Sequence, residues 1–301
     1  MAVWEPEIVV DEELARRLLV QFPELEAEEL RLLAYGWDYT VWVVGERYAF
    51  RFPRRQVGIP GTEREIAVLP KLAPLLPLPV PAPLFVGQAT DEYPWPFFGS
   101  ALLPGQETAD VGLDDDGRLE IALQLAGFLR ALHAVELDLE LPVDVNSRAD
   151  MGRRVPLARE TLAQLEGLGT WKQPPALGDL LDRAERLPPG EPTAVVHGDL
   201  HFRQVLVEDQ RVTGVIDWVD VCRSDPAIDL SLVWSFLPPE RRARFLDAYG
   251  SVTDEQLERA RVLAFSLCAA LACNAHAEGL AGVEAEAQAG LDRALDDRVR
   301  V

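Results

Sequence analysis

The chain has 301 residues, 48% of them hydrophobic, and a formal net charge of −21. That length supplies a sizeable core in one large or two modest domains, and the negative field excludes an ordinary binder of nucleic-acid backbone. For a small-molecule partner the acidity favours a cation, although solubility alone accounts for such a charge. Cys222, Cys268 and Cys273 are too few and too irregularly spaced for a disulfide framework or a zinc site, and read as reduced, buried thiols. The acidic N-terminus lacks a charged-then-apolar leader. The longest apolar run, residues 262–273, is too short for a bilayer and is interrupted by Ser266. A cytoplasmic protein with no membrane partner is expected.

In chain order, residues 11–33 show helical spacing, with Leu14, Leu18, Leu19, Phe22 and Leu25 as the apolar positions. Two strands follow, TVWVV (40–44) and RYAFRF (47–52), joined by Gly45-Glu46 in what the order Gly-X predicts to be a type II′ turn. In the second strand Tyr48, Phe50 and Phe52 face one way, Ala49 and Arg51 the other, and Pro53 ends it. A helix begins near Thr62 and runs into prolines. Extended pieces occupy 77–88 and 93–105. Apolar residues interleave the proline cluster at 74–83, so the boundary is placed instead at LLPGQE, separating residues 1–103 from 104–301.

Beyond that boundary a helix is expected over 117–135, with Leu119, Leu123, Ala126, Leu129, Leu132 and His133 as its stripe. Another opens at SDPAIDL with Pro226 in its first turn behind Ser224 or Asp225. Two more cover 254–280 and 284–297. Between these helices lie three β-like runs, 193–196, 205–207 and 212–216, and His197, Asp199, His201, Gln204 and Asp217 sit where the runs stop. The polar turn EDQR makes a hairpin of the last two runs. Its open end brings Gln204 and Asp217 together, with Asp199 on the loop leaving the first run. Two carboxylates and an amide oxygen facing one space require a cation. Mg²⁺, which takes oxygen ligands and brings phosphates, fits best. Taken singly, each acid reads as a turn residue.

The ordered set HGDLHFRQVLV, GVIDW and SDPAIDL, preceded by GWDYTVW, YAFRFPRR and EREIAVLPKL, resembles the aminoglycoside phosphotransferase family over nearly the whole chain. FRFPRR with HGDLH is closest in style to the macrolide phosphotransferases. The resemblance implies an α+β, protein-kinase-like bilobal fold with a small β-rich N-lobe and a larger, mainly helical C-lobe. It implies a phosphotransferase that uses ATP or GTP with Mg²⁺ and acts as a monomer or weak homodimer.

By the same resemblance Asp199 is the catalytic aspartate and His197 belongs to the same catalytic motif, ranked as a loop brace ahead of a chemical role. Asp217 binds the metal. Gln204 stands where the family has asparagine and is either a metal ligand of greater reach or the mark of a one-metal site. Asp229 supports the catalytic-loop backbone, or simply sits well in a helix first turn. Arg51 replaces the phosphate-binding lysine as a planar fork, with Ala49 leaving room for a purine. Glu65 is either its ion-pair partner or part of a Thr62–Glu65 capping box. Gly36 and Thr40 make a short phosphate loop, flanked by Trp37 and Trp42 as packing residues, and the backbone of Ser100 to Leu102 meets the purine. His201 is a supporting residue or an ordinary polar loop residue.

Only seven residues separate Asp217 from Asp225, too few for a peptide-docking segment. The expected acceptor is therefore a small hydroxylated molecule, antibiotic-like (a macrolide or aminoglycoside, cationic), with Asn274, His276 and Glu278 near its groove. The alternatives are a metabolite kinase for a sugar, choline-like or amino-acid hydroxyl, and a nucleotide-binding protein with little transferase activity.

Overall fold

In the computed structural model, which describes residues 5–36 and 38–299, the chain divides into two units. One is Met1–Leu75 with Pro79–Leu103, and the other is Leu76–Leu78 with Pro104–Val301. Trp37 lies outside the described residues.

The first unit opens with α1 (Glu12–Leu19), capped by Asp11, whose carboxylate accepts the Leu14 amide at 2.8 Å. The helix expected to continue to residue 33 stops there. Phe22 is non-helical before Pro23, as the residue preceding a proline tends to be, and residues 30–35 form a strand instead. Strands β1 (Leu30–Tyr35), β2 (Tyr39–Val44) and β3 (Tyr48–Pro53) are followed by α2 (Ile59–Leu72), β4 (Pro83–Gly87) and β5 (Phe97–Ala101). They build an antiparallel sheet in the order β1-β2-β3-β5-β4. The β2–β3 turn has positive φ at both Gly45 (58°) and Glu46 (50°), the signature of type I′, not the expected type II′. β3 alternates as expected. Phe50 and Phe52 are buried with Leu14, Leu18, Trp42 and Phe97 in the core, and Phe52 stacks on Phe97 at 4.8 Å.

In the second unit β6 (Gln106–Glu107) precedes α3 (Asp115–His133), α4 (Met151–Gly167) and α5 (Pro175–Ala184). Then come β7 (Ala194–Val196), β8 (Val205–Glu208), β9 (Arg211–Val215) and β10 (Cys222–Ser224), and finally α6 (Ala227–Phe236), α7 (Pro239–Tyr249), α8 (Asp254–Glu278) and α9 (Ala281–Leu295). The hairpin β8–β9 turns through Asp209 and Gln210, both with positive φ, and is extended by β6. β10 pairs with β7, so the short interval between Asp217 and Asp225 holds a strand against the one that leads into the His197 loop. The three cysteines are free and buried.

Helix α8 is the central element, packed on α4, α6 and α9. Thr253 and Gln256 form a capping box at its start, and Gly279 closes it in a left-handed conformation. At 25 residues it is, by length and composition, apolar enough to cross a membrane, so the twelve-residue run read from the sequence understated it. Of its most apolar stretch 56% is buried inside the protein, as befits a core helix.

Arg242 of α7 is wholly buried and closes the end of α9. Its guanidinium donates to the carbonyls of Arg293, Asp296 and Arg298 at 2.7–3.0 Å and lies 4.5 Å from the centroid of the Trp234 ring. Replacing Arg242 with Met should cost on the order of 3 kcal/mol, because buried carbonyls lose charged donors. The expected result in urea is a lower unfolding midpoint at unchanged slope, against little change for the exposed Arg244→Met.

Candidate active site

β7 delivers the chain into the loop that carries His197, Gly198 and Asp199. Asp229, in the first turn of α6, is completely buried and receives that loop. Its Oδ2 accepts the His197 amide at 2.8 Å and its Oδ1 the Gly198 amide at 3.0 Å, while His133 Nε2 lies 3.0 Å from Oδ2. Burial alone would raise the Asp229 pKa, but the His133 hydrogen bond and charge outweigh it and hold the carboxyl below its ordinary value. Tyr249 orients His133 through a 2.7 Å contact with Nδ1. Gly198 has φ 92°, and a Cβ there would lie 2.3 Å from the Asp220 carbonyl oxygen, so only glycine fits.

His197 is also fully buried. Its Nδ1 accepts the Asp199 amide at 3.3 Å, which leaves the ring proton on Nε2 for the Ile216 carbonyl at 2.9 Å. Burial lowers its pKa, so the ring is neutral. Geometrically it braces the loop against the end of β9.

Asp199 keeps 24% of its side chain exposed. Arg148 Nη2 lies 2.8 Å from its Oδ1 and 3.0 Å from Asp220 Oδ2, and Arg148 Nη1 donates to the Gly198 carbonyl. Burial pushes Asp199 up to about 7; Arg148 pulls the other way, and the charges of Asp220 and Asp217 add to the rise. The loop presenting Arg148 is fixed by Asp144, whose carboxylate accepts the amides of Arg148 (2.7 Å) and Ala149 (2.9 Å). The Asp144 amide in turn donates to the Arg223 carbonyl on β10.

At the open end of the β8–β9 hairpin Ile216 donates to the Gln204 carbonyl at 2.9 Å, and the two side chains expected there do meet. Gln204 Nε2 lies 3.2 Å from Asp217 Oδ2 and 3.2 Å from His201 Nε2. Asp217 has φ 64°, a left-handed conformation that re-aims its carboxylate at the strand end. His201 Nε2 is 3.9 Å from Asp199 Oδ2, so His201 stands between the two aspartates. Burial lowers His201 to about 3, keeping it neutral.

The proton on that ring decides how Gln204 fits a metal. His201 Nδ1 accepts the Arg203 amide at 3.2 Å, so Nε2 carries the hydrogen and faces an amide NH₂. Two donors repel. Turning the Gln204 amide over pairs its oxygen with His201 Nε2–H and presents that oxygen beside Asp217. A separation near 3.2 Å is close to the roughly 3 Å between neighbouring ligands of an octahedral Mg²⁺. The donor set therefore fits the ion, although no group of three His, Cys, Asp or Glu side chains is poised for a metal among the described residues.

In the first unit Arg51 Nη1 meets Glu65 Oε1 at 2.8 Å, with Glu65 fully buried and Arg51 12% exposed. The Arg51 guanidinium also lies over the Tyr39 ring at 4.4 Å. The capping-box alternative for Glu65 fails because α2 begins at Ile59, and Thr62 in its second turn donates back to the Gly58 carbonyl. Ala49 lies between Val43 and Ser100 in the sheet register.

Two expectations need correction. Thr40 is not on a loop: it pairs with Tyr35 and Phe52 inside β2 and is fully buried, so its hydroxyl is not offered to a phosphate. The Leu102 amide donates to the Arg47 carbonyl at 2.8 Å, and Ser100, 2% exposed, directs its hydroxyl to the Ala101 carbonyl. The Leu102 amide is therefore not free for a purine edge.

A cavity of about 140 Å³ opens beside Asp199 within the second unit. Arg148 and Arg154 line it, α6 supplies Ile228 and Ser231, and α8 supplies Leu263, Ser266, Leu267 and Ala270 at helical spacing. The groove residues expected on α8, Asn274, His276 and Glu278, lie a turn or more further along, about 6–12 Å beyond Ala270. His276 contacts Glu284 at the start of α9 instead. Sequence reading missed Arg148, Arg154 and the bracing role of His133, for which the only signal was a histidine within an apolar stripe.

A sequence model described as "Phosphotransferase enzyme family" matches residues 29–263. The uncharacterised protein YcbJ of Bacillus subtilis is 36% identical over 58 residues, a match spanning 19% of this chain and 19% of that protein. Among solved structures, the GDP and kanamycin complex of APH(2")-IIia superposes with a TM-score of 0.69 at 22% identity, covering 95% of this chain and 99% of the other. Macrolide 2'-phosphotransferase MphH from Brachybacterium faecium superposes with a TM-score of 0.56 at 26% identity, over 87% and 92%. These likenesses establish a kinase-like α+β fold.

If Asp229 holds the loop as the distances indicate, Asp229→Ala should leave the His197 and Gly198 amides unpaired. The expected cost is about 3 kcal/mol, with hydrogen exchange faster at residues 197–199 than in α8. Unchanged protection there would show that the loop is held by other contacts.

Proposed function

Because the chain belongs to the phosphotransferase enzyme family, we propose that it moves the γ-phosphoryl group of ATP or GTP to a hydroxyl of a small, antibiotic-like acceptor, a macrolide or an aminoglycoside. The observation that carries this reading is geometric: Asp199 lines the cavity, held by Arg148 at 2.8 Å, with the His201 ring 3.9 Å from its other oxygen and that ring 3.2 Å from Gln204 of the Gln204–Asp217 pair. A pKa of about 7 suits a general base, since about half of the group is deprotonated at neutral pH and it is basic enough to take a proton.

In this reaction the acceptor oxygen attacks the γ-phosphorus. The new O–P bond forms as the bond to the β-phosphate oxygen breaks, the hydroxyl proton passes to Asp199, and the nucleoside diphosphate leaves with the bonding electron pair. Asp217 and Gln204 would hold Mg²⁺, and the ion when bound would supply positive charge to the phosphate oxygens. Arg51, pinned by Glu65 and by Tyr39, binds phosphate as a fork. His197, Asp229 and His133 touch no reacting atom and act by fixing the loop. Dependence on ATP or GTP supports a cytoplasmic location. A metabolite kinase is the second reading, favoured by the small volume of the cavity beside Asp199.

A panel of macrolides, aminoglycosides and small hydroxylated metabolites, run with ATP and GTP and Mg²⁺, tests the reading by diphosphate release and the mass of the product. Asp199→Asn should lower turnover by about 10²–10⁴-fold while Mg²⁺–nucleotide affinity stays within a few-fold. Nucleotide binding with no turnover on any acceptor would leave a binding protein rather than a transferase.

The rate should rise with pH through a limb near 7 as Asp199 loses its proton. Arg148 stabilises the carboxylate, so Arg148→Gln raises that pKa and moves the limb to higher pH. A limb that stays in place or moves down contradicts the assignment of Asp199 as the base.

A further inference from the structure

The cavity beside Asp199 does not share the charge of the chain around it. The whole sequence carries −21, yet the cavity lining has one acid, Asp199, and two arginines. Arg148 is already matched by Asp199 and Asp220. Arg154 has no such contact. Among the described residues it makes no ion pair; its Nη2 donates to the Asn146 carbonyl at 3.2 Å, and its Nε is enclosed without a partner. A guanidinium stays charged even when burial disfavours it, so the cavity holds a half-buried cation with no carboxylate in direct contact, although the charges of Asp144, Asp199 and Asp220 act on it from further off. Opposite it the wall is apolar, made by Ile228, Leu263, Leu267 and Ala270, with the hydroxyls of Ser231 and Ser266. A volume of about 140 Å³ is close to that of a cavity that accepts benzene.

Resting on the phosphotransferase reading in its second, metabolite-kinase form, and against the antibiotic acceptors, we propose that the acceptor carries a carboxylate paired with Arg154, on an apolar body about one ring in size, with its reacting hydroxyl at Asp199. Polycations are selected against. The Arg154 guanidinium repels an ammonium group placed against it, and a macrolide is too large to enter with more than one edge. Size and charge together describe a small hydroxy acid.

The test is binding to the full chain in the presence of Mg²⁺ and ADP, by calorimetry, with three probes of one shape: 4-(hydroxymethyl)benzoate, 4-(hydroxymethyl)benzamide and 4-(hydroxymethyl)benzylamine. The benzoate is expected to bind at least about tenfold tighter than the amide, with the amine weakest, a factor worth 1.4 kcal/mol. Arg154→Gln should abolish that preference and Arg154→Lys should keep part of it. Arg153→Gln, which removes the same charge from a side chain 73% exposed on the same helix, should leave it intact.

No benzoate binding, equal or tighter binding of the amine, or a preference that survives Arg154→Gln overturns the proposal. So does an Arg154→Gln variant with wild-type melting temperature that loses ADP affinity, since the cation would then serve the nucleotide. Failure of the wild type to bind ADP with Mg²⁺ bears on the phosphotransferase reading instead, and the benzoate preference, read without turnover, still stands or falls by itself.

Discussion

A carboxylate with no water around it must be surrounded by donors, and Asp229 takes its donors from the loop that carries Asp199. An uncompensated charge at full burial costs several kcal/mol, so its bonds to the His197 and Gly198 amides and to His133 are obligatory partners. Satisfying them forces Gly198 into a conformation only glycine adopts and leaves Asp199 at the cavity mouth. The same logic recurs one step back. Asp225 accepts the Ala227 amide at the start of α6 and pairs with the buried Arg259 of α8 at 2.8 Å, and Arg259 also reaches the Ala149 carbonyl beside Arg148. One buried ion pair thus ties the helix bearing Asp229 to the helix forming the cavity wall and to the loop presenting Arg148.

What could be read from the sequence follows from how local each feature is. The β8–β9 hairpin announced itself by two short apolar runs around a polar turn, and Gln204 and Asp217 met because a hairpin fixes its own open end. Asp199, Asp217 and Asp229 lie within one stretch of chain and could be placed together. The strand β1 could not, because its leucines at 30, 32 and 33 satisfy a helical pattern as well as an edge strand, and Pro23 together with pairing to β2 decided the matter. β6 and β10 are too short to carry any period. Arg148 and His133 acquire their roles only through long-range contacts, and the Leu102 amide is occupied by a backbone partner that no side-chain pattern reveals.

The contrast between the charge of the chain and the charge of the cavity has the same origin. Exposed acids are screened within about 8 Å at physiological salt, and a total of −21 says little about a recess lined by arginines. A partly buried guanidinium with no carboxylate in direct contact is screened far less. Choosing an acceptor from bulk composition therefore weighs the many weak charges over the few strong ones.

The two oxygens of Asp199 are not equivalent. Oδ1 is held by Arg148 at 2.8 Å, whereas the neutral ring of His201 stands 3.9 Å from Oδ2. In the proposed reaction Oδ2 is the oxygen that would take the acceptor's proton. Arg148 thus does two things at once. It fixes the direction of the carboxylate, and it offsets the burial that would otherwise keep the group protonated. Asp220 limits that second effect by sharing the same guanidinium at 3.0 Å. The basicity of Asp199 is therefore set by a competition between two carboxylates for one arginine, and that competition survives only while the loop held by Asp144 keeps Arg148 between them.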